Sequence, residues 1–167
     1  MKAYQVFARM TPERTQALLE SLREGAPGVY MQALAAASAF LRARPQFVLK
    51  QSPDKRAKLV RQALARFSTS IVAEEVLAAY FLQVKKPLLV EWLDALGLEH
   101  EEGALKADAP PCPDAGKLAK AVDAFRAAAK PDGELADRWE RELLLRAFAA
   151  QTAIDWPPLD SLLGLSS

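Results

Sequence analysis

The chain has 167 residues, 51% of them hydrophobic, which is enough to bury a core without a structural metal or a disulfide. Its one cysteine, Cys112, cannot form a disulfide within the chain, and no apolar stretch, the longest being 29–41, is long enough to span a bilayer. The first residues also lack the apolar run of a signal peptide, so we expect a protein of the reducing cytoplasm.

The net charge of +1 conceals two opposed regions. Residues 1–66 carry 12 Lys and Arg against 4 Asp and Glu, whereas the rest of the chain carries 10 against 17. Such an asymmetry indicates either an anionic partner or contact between oppositely charged surfaces.

Eleven prolines divide the chain into apolar-periodic segments, because proline is tolerated at the start of a helix but not in its interior. Thr11-Pro12 caps the first segment and Gly25 ends it, while Pro45 indicates a short helical turn. The seven main helices are predicted at about residues 12–24, 27–42, 53–67, 70–84, 87–96, 115–129 and 134–152.

The second and fourth of these helices are apolar around most of their circumference, so we expect them to be innermost. The predicted fold is all-α, a compact bundle of six to seven helices that forms a single domain over residues 1–167. Residues 98–113, with an acidic run and three prolines, are predicted to be a long surface loop. The Pro- and Leu-rich segment 155–167 is expected to cover the core of the domain, rather than to bind the groove of a partner.

A basic stripe lies on one face of the third main helix, opposite its apolar face. Cations at this spacing could neutralise successive phosphates of a nucleic acid. Base stacking would also need exposed aromatic side chains, and the nearest ones, Phe47 and Phe67, are predicted to be core residues. We therefore favour a solvated face or a face docked on acidic residues. The stripe consists of Lys55, Lys58, Arg61 and Arg66.

Negative charge is concentrated in residues 91–108, where six acids meet one lysine. Two localised patches of opposite sign favour contact with each other, within or between molecules, over capture of a polyanion. The acidic patch consists of Glu91, Asp94, Glu99, Glu101, Glu102 and Asp108.

Helix 134–152 carries charged pairs four residues apart, which we interpret as support for the helix alone. These pairs are Glu134 with Arg138, Asp137 with Arg141, and Glu142 with Arg146.

Residues that could carry chemistry are few. One histidine, His100, and one cysteine cannot form a transition-metal site, and the scattered glycines form no phosphate-binding loop, so we expect no metal and no cofactor. Glu74 and Glu75 interrupt an apolar helix, with Glu75 expected to be partly buried. A structural ion pair, for instance with Arg66, explains such a carboxylate better than catalysis does.

Three functions remain as hypotheses. The first is a non-catalytic helical protein that acts through protein–protein contacts, including self-association as a homodimer. The second is a nucleic-acid-binding protein that uses the basic stripe, and the third is an enzyme with a carboxylate-lined pocket between helices. An enzyme is the less favoured class, and no partnership with a membrane is expected.

Overall fold

The computed structural model describes residues 1–130 and 135–165, and it confirms that the chain is all-α. Ten α-helices lie in this described part, more than the six or seven predicted, because three are short. The helices are α1 (Ala3–Arg9), α2 (Pro12–Gly25), α3 (Pro27–Leu41), α4 (Pro45–Leu49), α5 (Pro53–Leu64), α6 (Ser70–Ala79), α7 (Lys86–Leu96), α8 (Ala115–Ala127), α9 (Leu135–Ala149) and α10 (Pro157–Leu162).

Helix α6 is lengthened at both ends by tighter or wider helical turns. A 3-10 turn, Phe67–Thr69, precedes it, and a π-helical turn, Tyr80–Val84, follows it. The result is one helical run over residues 67–84, as the sequence predicted from residue 70 onward.

Contacts between helices divide the chain into two compact units. The amino-terminal unit comprises Lys2–Val84, and the carboxy-terminal unit begins at Lys85 and includes Met1. The single domain expected over residues 1–167 remains a prediction.

In the amino-terminal unit, α5 packs against α2 and α3, and α6 packs against α1 and α3. The core contains Phe7, Leu22, Leu34 and Leu64, none of which is accessible to solvent. The apolar periodicity of each helix therefore places its large side chains against neighbouring helices of the same unit.

The expectation that α3 and α6 are innermost is wrong. Each buries one face only: Met31 on α3 is 45% exposed and Ile71 on α6 is 75% exposed. On α3 the reason is the alanines, because alanine favours a helix through its backbone propensity and does not require burial.

The helical run Phe67–Val84 has the length and the mean hydropathy, 1.2, of a segment that could cross a membrane. A core helix of a water-soluble protein has the same composition. Glu74 and Glu75 lie in the middle of the run, where a charge is costly in hydrocarbon, and its buried face packs against α1 and α3. Only 33% of the run is buried, so it contributes one face to the core of the amino-terminal unit and leaves the other exposed.

The carboxy-terminal unit is built around a chain of aromatic rings. Trp92 on α7 contacts Phe125 and Phe148, with ring centroids 5.2 and 5.9 Å apart, and Phe148 contacts Trp156 at 5.4 Å. The Trp156 indole nitrogen donates a hydrogen bond to the carbonyl oxygen of Pro110 at 3.0 Å. Helix α10 packs against α8 with Leu159 fully buried, so the final segment covers this unit's core.

The segment predicted as a long loop contains a β-hairpin. Strand β1 (His100–Glu101) pairs with β2 (Ala104–Leu105) in antiparallel register. Glu102 and Gly103 form the turn with φ of 49° and 92°, and two positive φ values are typical of the tight turn that matches the twist of a hairpin. Apolar alternation is too short here to reveal the strands from sequence.

Candidate interaction surface

The basic stripe divides into free and structural cations. Lys55 and Lys58 on α5 are exposed and have no ion-pair partner in the described part of the chain. The pKa of Glu13 is lowered by hydrogen bonds from its own backbone and from Thr11, with a further contribution from the charge of Lys58. Lys58 thus lies near Glu13, at the start of α2.

Arg61, in contrast, holds helices of its unit together. Its Nε donates to the carbonyl oxygen of Met10, and its Nη2 donates to that of Ala8 at 3.0 Å. These carbonyls lie at the carboxyl end of α1, where the last oxygens of a helix lack partners within the helix. Arg61 therefore caps α1, a role that the stripe in the sequence did not indicate.

We expect Arg61→Met to lower the free energy of unfolding of the amino-terminal unit by about 1 kcal/mol, because two carbonyl oxygens lose a charged donor. The matched variant Lys58→Met should change it by less than about 0.5 kcal/mol, since Lys58 is exposed. Urea unfolding followed by circular dichroism measures both. Equal effects of the two variants would contradict the structural role of Arg61.

Arg66 lies after the end of α5 and stacks on an aromatic ring. Its guanidinium carbon is 4.5 Å from the centroid of the Phe40 ring, a geometry that is attractive for a cation. Among the residues that the structure describes, no acceptor forms a hydrogen bond with this guanidinium. The pair that the sequence suggested with Glu75 is not formed, and Glu75 is exposed rather than partly buried.

Phe67 and Ile71 are the two most exposed large apolar side chains among the described residues, at 78% and 75%. They are four residues apart, but Phe67 belongs to the 3-10 turn and Ile71 to α6, so the spacing alone does not give the direction of one side chain relative to the other. The Phe67 ring contacts that of Tyr4 edge to face at 5.8 Å. The prediction that Phe47 and Phe67 are core residues is wrong, because Phe47 is also 51% exposed.

An open groove of about 950 Å³ lies beside Phe67. We call it the Phe67 groove; Ile71, which follows on α6, is not among the residues that line it. Its walls come from the ends of α1, α3 and α5 and from the 3-10 turn. The side chains used below are those of Phe40, Arg61, Gln62, Arg66 and Phe67.

The backbone that carries Phe67 is fixed by one hydroxyl group. Thr69 Oγ1 lies 2.6 Å from the carbonyl oxygen of Ala63 and 2.9 Å from that of Arg66. It therefore ties the end of α5 to the turn before α6, a common role of threonine at helix ends.

Half of the acidic patch is paired inside the carboxy-terminal unit. Glu91 binds Arg141 through both carboxylate oxygens at 2.7 and 3.1 Å, Asp94 lies 2.9 Å from His100 Nε2, and Glu102 lies 3.1 Å from Lys86. The other three acids are exposed and without ion pairs within the described ranges: Glu99, Glu101 and Asp108.

The charged pairs predicted along helix α9 are rearranged. Arg141 Nε lies 3.6 Å from Asp137, as expected, but Arg141 is buried and also reaches Glu91 of α7. Glu142 pairs with Arg126 of α8 instead of Arg146. Glu134 lies outside the described residues.

The remaining candidate residues, Glu74, Glu75 and Cys112, do not line the Phe67 groove. Neither the Phe67 groove nor the small groove beside Tyr30 is lined by Glu74 or Glu75. Within residues 1–130 and 135–165, no group of three His, Cys, Asp or Glu is placed to hold a metal ion. Desolvation raises the pKa of the Cys112 thiol, which makes it less nucleophilic at neutral pH.

No protein-family model, no curated protein and no solved structure matches this chain. The function is therefore argued from the chemistry of the surface.

Proposed function

We propose that this protein is non-catalytic and acts by binding another protein chain at the Phe67 groove, self-association being one form of such binding. The observation that carries the proposal is the 78% exposure of Phe67 in a groove that it lines together with Arg66, whose guanidinium has no hydrogen-bond acceptor among the described residues. Aromatic residues and arginine dominate the binding energy of protein interfaces.

Burial supports this function in energetic terms. A large apolar side chain that is left in water forgoes about 1.5–3 kcal/mol of hydrophobic stabilisation. Contiguous exposed apolar surface on a folded protein is typical of an interaction site. Phe67 and Ile71 would gain this stabilisation only when another molecule covers them.

A nucleic acid is a second candidate, and the exposure of Phe67 beside cations removes one objection to it. Two other features favour a protein. Ile71 offers no flat face on which a base could stack, and the Arg61 guanidinium is engaged with the carbonyl groups of α1. Fewer cations of the stripe are thus available to phosphates than its spacing suggests.

We expect the cell compartment to be a reducing cytoplasm, in keeping with the single unpaired Cys112. Binding of a partner can therefore be tested inside living cells.

Replacing Phe67 by the photo-cross-linker benzoylphenylalanine tests the proposal, because the new ring stays at the centre of the surface. Irradiation should give protease-sensitive, nuclease-resistant adducts, in which the attached peptide is identified by mass spectrometry. The matched control carries the cross-linker at Met31, which is exposed on α3 and does not line the groove. Adducts that are equally abundant from both positions, or that disappear with nuclease, would contradict the proposal.

A further inference from the structure

We propose that the occupant of the Phe67 groove is an acidic segment with apolar anchors, contributed by a protein partner. Its carboxylates would lie on Arg66 and Lys58, and its apolar side chains would cover Phe67 and Ile71. This inference rests on the proposed function, since it specifies the chemistry of the partner.

The guanidinium of Arg66 is placed in a way that suits the binding of a carboxylate. Stacking on Phe40 holds the plane of the guanidinium, and its N–H groups have no acceptor among the described residues. A planar guanidinium binds a carboxylate through two parallel hydrogen bonds, and an arginine that is already oriented loses less rotational freedom on binding. A lysine at this position would carry the same charge but could not form two parallel hydrogen bonds with a carboxylate.

Positive charge continues along α5 from the groove. Lys58 and Gln62 are four residues apart on one face of α5, and Arg66 follows beyond the end of that helix at Leu64, where it lines the groove with Gln62. Lys55 lies one turn earlier, exposed and unpaired with any acid in the part of the chain that is described. This edge is complementary to a partner segment with several carboxylates.

The polarity of the surface also sets an orientation. Glu75 is exposed one turn beyond Ile71 on the same helical run, so negative charge adjoins the apolar end of the surface. The acidic end of the partner would therefore lie over Arg66 and Lys58, and its apolar anchors would lie toward Ile71. Removing the charge of Glu75 should improve binding.

The size of the groove suits a segment of polypeptide chain. An open groove of about 950 Å³ has room for several side chains of a helix or an extended peptide. A phosphate polymer would use the cations but would leave Ile71 in water.

Fluorescence anisotropy with the full-length protein tests this inference. The probe is a labelled peptide of about 14 residues, long enough for helical turns, with leucines at i, i+4 and i+7 and glutamates between them. One control peptide replaces the glutamates by glutamine and a second replaces the leucines by alanine. We expect each control to bind about tenfold more weakly than the probe.

Variants locate the binding. Arg66→Lys and Phe67→Ala should each weaken binding of the probe about tenfold, and Glu75→Gln should strengthen it about twofold. The matched controls Met31→Ala and Lys120→Gln, both at exposed positions outside the groove, should leave binding unchanged. Circular dichroism verifies that each variant is folded, so that lost binding is not lost structure.

The outcomes separate this inference from the proposed function. Equal affinity for the glutamate and glutamine peptides, or no effect of Arg66→Lys, would overturn the acidic occupant. If benzoylphenylalanine at position 67 still captured a protein, the proposed function would stand although the partner segment is not acidic. A labelled oligothymidylate that bound through Arg66 and Phe67, with no binding of the probe, would overturn both in favour of a nucleic acid.

Discussion

Trp92→Ala is expected to lower the free energy of unfolding of the carboxy-terminal unit by about 3–5 kcal/mol. The side chain is fully buried on α7 and contacts the rings of Phe125 and Phe148. Its loss leaves a cavity in a chain of rings that continues to Trp156, and rigid rings cannot collapse into that space. Urea unfolding measures the change. It is followed by far-ultraviolet circular dichroism, because that signal does not depend on the replaced tryptophan.

Trp92→Phe is the matched control for this prediction. The indole nitrogen of Trp92 is buried without a hydrogen-bond acceptor within the described residues, and an unsatisfied donor costs free energy. Phenylalanine removes that donor and keeps an aromatic ring, so we expect it to cost less than half as much as alanine. If the two variants are equally destabilised, the cavity is not the main cause.

Glu91→Ala is expected to destabilise the same unit by about 2 kcal/mol, because it leaves the buried guanidinium of Arg141 without its best partner. Glu91 is itself 43% exposed, so the effect should be smaller than the 3–5 kcal/mol or so expected for a fully buried pair. Burial lowers the pKa of Arg141, but the hydrogen bonds and charges of Glu91 and Asp137 outweigh it and raise the pKa above its ordinary value. An arginine is not deprotonated in proteins, so Arg141 remains a cation when Glu91 is removed.

The reverse variant, Arg141→Met, should cost less, about 1 kcal/mol. Methionine occupies much of the same volume beside Phe125, while the half-exposed Glu91 can be hydrated when its partner is lost. A double-mutant cycle that combines both substitutions measures the coupling. The interpretation fails if Arg141→Met is the more destabilising of the two single variants.

The positions of helix ends could be predicted because they depend on local chemistry. Thr11 accepts a hydrogen bond from the Arg14 amide at the start of α2, and the Asp114 carboxylate accepts two at the start of α8. Gly97 ends α7 with φ of 69°, a conformation that other residues adopt at a cost. Each signal lies within a few residues of the feature it predicts.

The candidate surface could not be predicted from the sequence. The periodicity of one helix gives the direction of its own side chains, but not the direction of side chains that follow its end. Phe67 falls three residues after the buried Leu64, and in an uninterrupted helix it would share the same buried face. Helix α5 ends at Leu64, so the next turn points Phe67 outward. The sequence predicted that this helix runs to residue 67, three residues beyond its actual end, and so assigned Phe67 to the buried face.

Ion pairs between residues that are distant along the chain also could not be predicted from the sequence. Arg141 has an acid four residues before it, and local pairing explained its charge fully. Its burial and its contact with Glu91, fifty residues away, depend on how α7 and α9 pack within their unit. The acidic patch was therefore overestimated as a free surface, since part of it serves to hold these helices together.

The hydroxyl of Thr69 affects how a partner would be selected at the Phe67 groove. Because it ties Ala63 and Arg66 to the turn before α6, the backbone under Phe67 is restrained in the unbound protein and has less conformational entropy to lose on binding. A partner then meets a shape that exists before the encounter, and little ordering of this turn opposes binding. Discrimination between partners would therefore arise from how well the shape of each partner matches the preformed groove. It would not arise from folding of the groove around the partner.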